Sequence, residues 1–169
     1  VMLWDIESPK VYEVTTQLLY RGQVVDEKKV TIGFREALFK KDGFYLNGRK
    51  VKIRGLNRHQ SYAYVGYAMP ASMQRLDAKI LKEELALNAV RTSHYPQSHY
   101  FMDACDRLGL LVFTEMPGWQ HIGGQAWQDQ AVENVKDMIV QYRNHPSIIL
   151  WGVRINESQD NDAFYESTN

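Results

Sequence analysis

Between residues 52 and 153 the chain alternates two patterns that a single secondary-structure element cannot satisfy. Short runs rich in branched apolar residues fall at residues 52–57, 89–92, 110–113 and 147–153. Longer stretches between them repeat their apolar residues at about 3.6-residue spacing, the period of a helix with one buried face. Met73, Leu76, Ile80, Leu81 and Leu85 make the first stripe, with Ser72 placed to cap it. Phe101, Ala104, Cys105 and Leu108 make the second, capped by Ser98 and closed by Gly109. Val132, Val135, Met138, Ile139 and Tyr142 make the third, which ends near Asn144-His145-Pro146 because the residue before a proline is disfavoured in a helix. Continuous apolar strands alternating with amphipathic helices predict a parallel sheet covered on both faces, with residues 52–57 as a buried first strand. An open doubly wound sheet and half of an eight-stranded barrel both fit. In either, ligands bind past the C-terminal strand ends. The polar residues found there are Asn57, Arg58 and His59, then Arg91 and His94, then Glu115, then Asn156 and Glu157.

Residues 1–40 lack a helical period. Val1–Ile6 has neither a basic start nor a small-residue cleavage site, so it does not read as a signal peptide; it reads as the inside of a strand. Val11–Tyr20 predicts a strand from its β-branched and aromatic residues. Arg21-Gly22 turns into a second strand, and Lys29–Arg35 is expected as a third. An immunoglobulin-like sandwich needs about seven strands and roughly 100 residues, so this portion supplies only its last few strands. Asn47-Gly48, between two β-prone runs, predicts a hairpin. The last residues, Phe164–Asn169, read as polar loop or early helix, and both ends are expected to be those of a piece of something larger.

Composition narrows the function classes. Twenty Lys and Arg balance twenty Asp and Glu over 169 residues without basic clusters, which argues against nucleic acid as a partner. At 44% hydrophobic and 24% charged, the chain can bury a core, and disordered or collagen-like classes are excluded. Its apolar runs fall far short of the roughly 20 residues that span a bilayer, so no membrane partner is expected. The single Cys105 forms no intrachain disulfide and no thiolate cluster. His94, His99, His121 and His145 could ligate zinc in principle, but His94 and His99 straddle a proline turn, against the close convergence a tetrahedral site needs.

Glu157 is the sharpest chemical candidate, since an apolar wall at a strand mouth can raise a carboxyl into general-acid range. The plainer alternative is a solvated loop carboxylate. Its neighbour Asn156 can both donate and accept. Arg91 could clasp a carboxylate bidentately or serve as a structural ion pair, and His94 could bond a hydroxyl or be a satisfied turn residue. Trp119 is placed as a stacking platform for a sugar face, Trp127 as packing, and Trp151 as either subsite lining or core.

Asn88–Pro96, followed by Tyr100-Phe101 and Asp106–Phe113, resembles the first signature of glycoside hydrolase family 2 almost position for position; Tyr142–Glu157 is similar to its second. Ile32–Arg35 and Asn47–His59 resemble the family's domain junction and barrel entry. The resemblance covers nearly the whole chain. It implies the last strands of an immunoglobulin-like β-sandwich over residues 1–40, then the first half of a (β/α)8 TIM barrel over residues 41–169. It further implies a retaining hydrolase of terminal β-glycosidic bonds: β-galactosides first, with a β-glucuronidase, a β-mannosidase or a non-catalytic carbohydrate-binding relative as alternatives. Glu157 would be the acid/base, Asn156 would bond the sugar 2-hydroxyl, Arg91 would orient the nucleophile, and His59 and His94 would line the sugar subsite. The nucleophile, a glutamate of the seventh strand, would lie beyond Asn169. Retention needs two carboxyls about 5–5.5 Å apart, so these 169 residues alone are expected to be inactive. The expected partner is a carbohydrate substrate, with a homo-oligomer when full length and no cofactor. Val153-Arg154-Ile155 puts three residues between Gly152 and Asn156 where many members have two, which predicts a bulge, and Arg154 would depress the pKa of an adjacent acid. Met116-Pro117-Gly118-Trp119 lacks the carboxylate and histidine with which some members hold magnesium, so no metal is expected.

Overall fold

A computed structural model of the chain describes residues 1–118, 120–154 and 158–168. Residues 1–11 form no strand, contrary to expectation; they are fastened by Trp4, whose backbone N–H donates to the Phe34 carbonyl at 2.7 Å and whose indole is fully buried. Strands β1 (Tyr12–Tyr20) and β2 (Gln23–Ile32) pair antiparallel as an exposed hairpin. The second and third strands expected from the sequence are this one ten-residue strand, because β1 is long enough to pair with all of it; the register slips once, near Leu18 and Leu19. Strands β3 (Ala37–Lys40), β4 (Gly43–Leu46) and β5 (Arg49–Val51) make a small antiparallel sheet. Asn47 and Gly48 turn β4 into β5, both with positive φ (51° and 78°), as a two-residue turn matched to strand twist requires.

The second half is a four-stranded parallel sheet in sequential order: β6 (Gly55–Arg58), β7 (Ala89–Thr92), β8 (Leu111–Glu115) and β9 (Ile148–Gly152). Helices α1 (Ala71–Lys79), α2 (His99–Leu108) and α3 (Gln125–Tyr142) are the crossovers, and α4 (Asp162–Thr168) follows β9. Sequential parallel order is how a barrel sheet is built, whereas a doubly wound sheet reverses its strand order. Ser98 caps α2 as expected, accepting from the Tyr100 N–H at 3.3 Å, and Gly109 closes it in the left-handed conformation.

Expectations for helix α1 and for the first parallel strand are corrected. Helix α1 starts a residue before Ser72, with Pro70 at its N-cap position, and runs on as a π-helical turn, Ile80–Glu84. Its buried residues are Gln74 and Ala78, whereas Leu76 and Leu85 are exposed; Gln74 wins burial because it bonds the buried Arg58. The first parallel strand is not buried: Ile53 and Leu56 are exposed, because β6 is an edge of the sheet with a neighbouring strand, β7, on one side only. The register irregularity of β9 falls near Ile149, toward its start; Val153 and Arg154 form a bend after it, and Ile155 lies outside the described residues.

Two cores hold the arrangement. Val90, Phe101, Met102, Cys105, Val112, Val135, Met138 and Ile148 fill the space between sheet and helices. Trp4, Ile6, Phe44, Leu46, Val51, Ala89 and Leu111 close the N-terminal end of the sheet beneath the small sheet of β3, β4 and β5. Arg35 fastens the same end to the α3–β9 connection, donating from Nε to the Pro146 carbonyl at 2.7 Å and from Nη2 to the Ile148 carbonyl. Desolvation lowers its pKa, the nearby Asp106 carboxylate pulling the other way.

Candidate active site

Strand alternation sorts the polar residues at the strand ends, because successive side chains point to opposite faces. Asn57, Arg91, Phe113 and Leu150 line the open face of the sheet, a cavity of about 380 Å³. Arg58 goes the other way: it is 6% exposed, bridges to Asp77 at 2.8 Å, donates to Gln97 at 2.5 Å and to Gln74 at 2.9 Å, and lies 3.9 Å over the Phe101 ring. It is a strut between sheet and helices. Nothing in the local sequence distinguished it from Asn57 and His59.

Two strand ends converge on Glu115, the last residue of β8, whose side chain is wholly buried. Arg91 donates to Glu115 Oε2 from Nε at 3.0 Å and from Nη2 at 2.9 Å. His94, reached through a cis Ser93–His94 peptide bond, places Nδ1 2.8 Å from Oε1. Arg91 thus has a carboxylate partner within the described chain, and Glu115 is the partner that no spacing rule singled out. The His59 ring stands edge-on to His94 at 5.4 Å, so the two histidines expected to line one subsite do meet. Tyr95 extends this cluster, its hydroxyl accepting from the Gln60 N–H at 2.9 Å.

Glu157, Asn156 and Trp119 lie outside the described residues. On the strand leading to them, Trp151 is partly buried and packs against the helix-side core, and Trp127 packs there too, 5.7 Å from Phe164. Arg154 stacks on Tyr165 and lies 3.4 Å from Asp160.

Among the described residues, one set of potential metal ligands converges: Asp103, Asp106 and His145, within 4.8 Å of one another. His94, His99 and His121 do not join it. The oxygens of Asp106 are already engaged, Oδ2 with His145 Nδ1 at 2.6 Å and Oδ1 with Ser147 Oγ at 2.6 Å and N–H at 3.1 Å. This set joins α2 to the start of β9. Cys105, alongside, is buried, and desolvation pushes its thiol well above the ordinary range. No helix among the described residues is long and apolar enough to cross a membrane.

A sequential parallel sheet with crossover helices and a polar cluster at its C-terminal end is the arrangement of a barrel enzyme. Residues 38–168 match the family model "Glycosyl hydrolases family 2, TIM barrel domain", and residues 1–35 match "Glycosyl hydrolases family 2". The chain belongs to glycosyl hydrolase family 2. It is 61% identical over 169 residues to a β-galactosidase of Thermoanaerobacterium thermosulfurigenes, covering all of this chain and 24% of that protein. A β-galactosidase of Thermoanaerobacter pseudethanolicus is 53% identical over 169 residues, with 99% and 23% covered. A putative β-glucuronidase of Formosa agariphila is 40% identical over 153 residues, with 89% and 18% covered. Among solved structures, Bacteroides uniformis β-glucuronidase 3 superposes with a TM-score of 0.85 at 38% identity, covering 92% of this chain and 20% of that one. The chain spans about a quarter of the length of the β-galactosidases it matches.

Proposed function

We propose that the protein containing this chain is a retaining glycoside hydrolase acting on terminal β-galactosidic bonds. The observation that carries the substrate is the 61% identity to a β-galactosidase across the whole chain. Identity to a putative β-glucuronidase and likeness to a solved one favour β-glucuronides as the second reading. The proposed division places residues 1–40 in an immunoglobulin-like domain and residues 41–169 in the catalytic barrel.

In this reading Glu157 protonates the departing glycosidic oxygen and later takes a proton from the attacking water, so that one residue serves both half-reactions. Asn156 bonds the sugar 2-hydroxyl, His59 and His94 line the sugar subsite, and Trp119 offers a face for stacking. Arg91 orients the nucleophilic glutamate. The contact it makes with Glu115 through Nε and Nη2 is compatible with that role, since a guanidinium carries five N–H donors on one rigid fork. The proposed partner is a carbohydrate, with self-association of the full-length protein.

The test uses the full-length protein with 4-nitrophenyl β-galactoside and β-glucuronide, following the anomer first released by NMR. Faster turnover of the galactoside with a β-anomeric product is expected. Preference for the glucuronide would replace the first substrate by the second, and an α-anomeric first product would refute retention.

A further inference from the structure

Glu115 sits where two strand ends and a loop meet, and each of its oxygens has its own task. Oε2 receives Nε and Nη2 of Arg91, and Oε1 faces His94 Nδ1 at 2.8 Å, closer to that nitrogen than Arg91 Nη2 at 3.5 Å. A carboxylate has no proton to give, so the hydrogen in the second contact comes from the imidazole. In the neutral ring, Nδ1 then holds the proton and Nε2 is left as an acceptor.

The backbone encloses this carboxylate. Gly152 of β9 is paired with Glu115, and a Cβ on it would come within 2.5 Å of Glu115 Cβ and 2.8 Å of the Phe113 ring. Only glycine lets β9 pass this closely, and its passage confines Glu115 to the side of Arg91 and His94. Stability is a poor reason for the arrangement, because desolvating a buried ion pair offsets most of its attraction.

We infer that Glu115 is a positioning residue: it aims Arg91 and His94 together and sets the ring proton of His94 on Nδ1, so that the imidazole meets a substrate hydroxyl as an acceptor through Nε2. The inference rests on the glycosidase reading for what His94 touches. It adds a statement about specificity: the sugar hydroxyl bound at His94 acts as a donor.

The informative variant is Glu115→Gln, nearly unchanged in size. Arg91 offers only donors, so the new amide must turn its oxygen toward Arg91 and its NH2 toward His94. Nδ1 must then accept, and the ring proton moves to Nε2. In full-length enzyme labelled with ¹⁵N-histidine, the His94 resonances, assigned by their loss in His94→Gln, should show a protonated Nδ1 in the parent and a protonated Nε2 in Glu115→Gln. Misplacing a substrate-positioning group by about 1 Å can cost about 100-fold, and a fall in kcat/KM of about 10- to 100-fold is expected. Monodeoxyfluoro substrates provide the second readout. Fluorine accepts but cannot donate, so at one sugar position it should penalise the parent strongly and Glu115→Gln much less. Gly152→Ala, which crowds Glu115 without touching a polar group, should lower kcat/KM in the same direction, and it keeps the question open to refutation if Glu115→Gln fails to fold.

An unchanged tautomer, or a uniform loss across all fluoro substrates accompanied only by lower thermal stability, would overturn the inference and leave Glu115 a structural ion pair. A parent that cleaves no β-glycoside would overturn the glycosidase reading instead, while the tautomer measurement would still decide what Glu115 does to His94.

Discussion

Replacing Asp106 by alanine should release the start of β9 from helix α2. The carboxylate is 1% exposed and receives Ser147 Oγ, the Ser147 N–H and His145 Nδ1; Ser147 is itself fully buried. Alanine strands all three donors where water cannot easily replace the lost acceptor. At about 1–3 kcal/mol for each stranded buried group, with some relief from rotation of the Ser147 hydroxyl, the loss is about 4 kcal/mol. The damage is local, so the assay is hydrogen–deuterium exchange of the segment 143–149 in the full-length protein. A local loss of about 4 kcal/mol corresponds to exchange about a thousandfold faster. Asp106→Asn retains an oxygen for Ser147 and should accelerate exchange only about tenfold. Less than a tenfold change in Asp106→Ala would mean that Arg35, which holds Pro146 and Ile148 from the other side, secures the connection without Asp106.

If the full-length protein is the glycosidase proposed, Glu157→Gln should cut turnover of β-glycosides with poor leaving groups by about 10²–10⁴-fold, while activated aryl glycosides retain most of theirs; equal losses would remove Glu157 from the acid role. Arg91→Lys should lower kcat about tenfold or more with little change in KM, because an ammonium cannot reproduce the two-donor fork seen against Glu115; unchanged kcat would reduce Arg91 to a structural part. Cys105 should resist a thiol reagent at pH 8 until denaturant is added, since burial keeps it protonated; fast labelling of the native protein would contradict the core described above. Residues 1–169 expressed alone should associate in size-exclusion chromatography through the open sheet face and should hydrolyse no aryl β-galactoside. An active monomer would contradict both the half-barrel argument and the placement of the nucleophile outside these residues.

Much of the architecture is legible in local sequence because its determinants are local. The stripe of Val135, Met138 and Tyr142, the Ser98 cap, the Gly109 stop and the Asn47-Gly48 turn each involve residues a few positions apart, and each appears where the spacing puts it. Helix α1 is one exception. Its buried position is a glutamine, and hydrophobic periodicity has no way to mark a polar side chain that is buried because an arginine on another element needs it.

The candidate site divides along the same line. The two signature stretches carry Arg91, His94 and Glu157 in the sequence itself, and both lie within residues 38–168, which match the family's barrel domain. Which of these groups touch is a matter of register between strands. Arg91 and Glu115 are 24 positions apart, and they meet because parallel pairing of β7 with β8 sets Arg91 against Phe113 and leaves Glu115 at the next inward position. Arg58 and Asn57 are adjacent in sequence yet face opposite sides of the sheet. Chain-local physics, the helical period and the turn and cap preferences, therefore determined which elements form and in what order. Only the tertiary structure decided that Glu115 joins Arg91 to His94 and that Gln74 is core, because pairing register and crossover packing bring together residues whose separation along the chain carries no periodic signal.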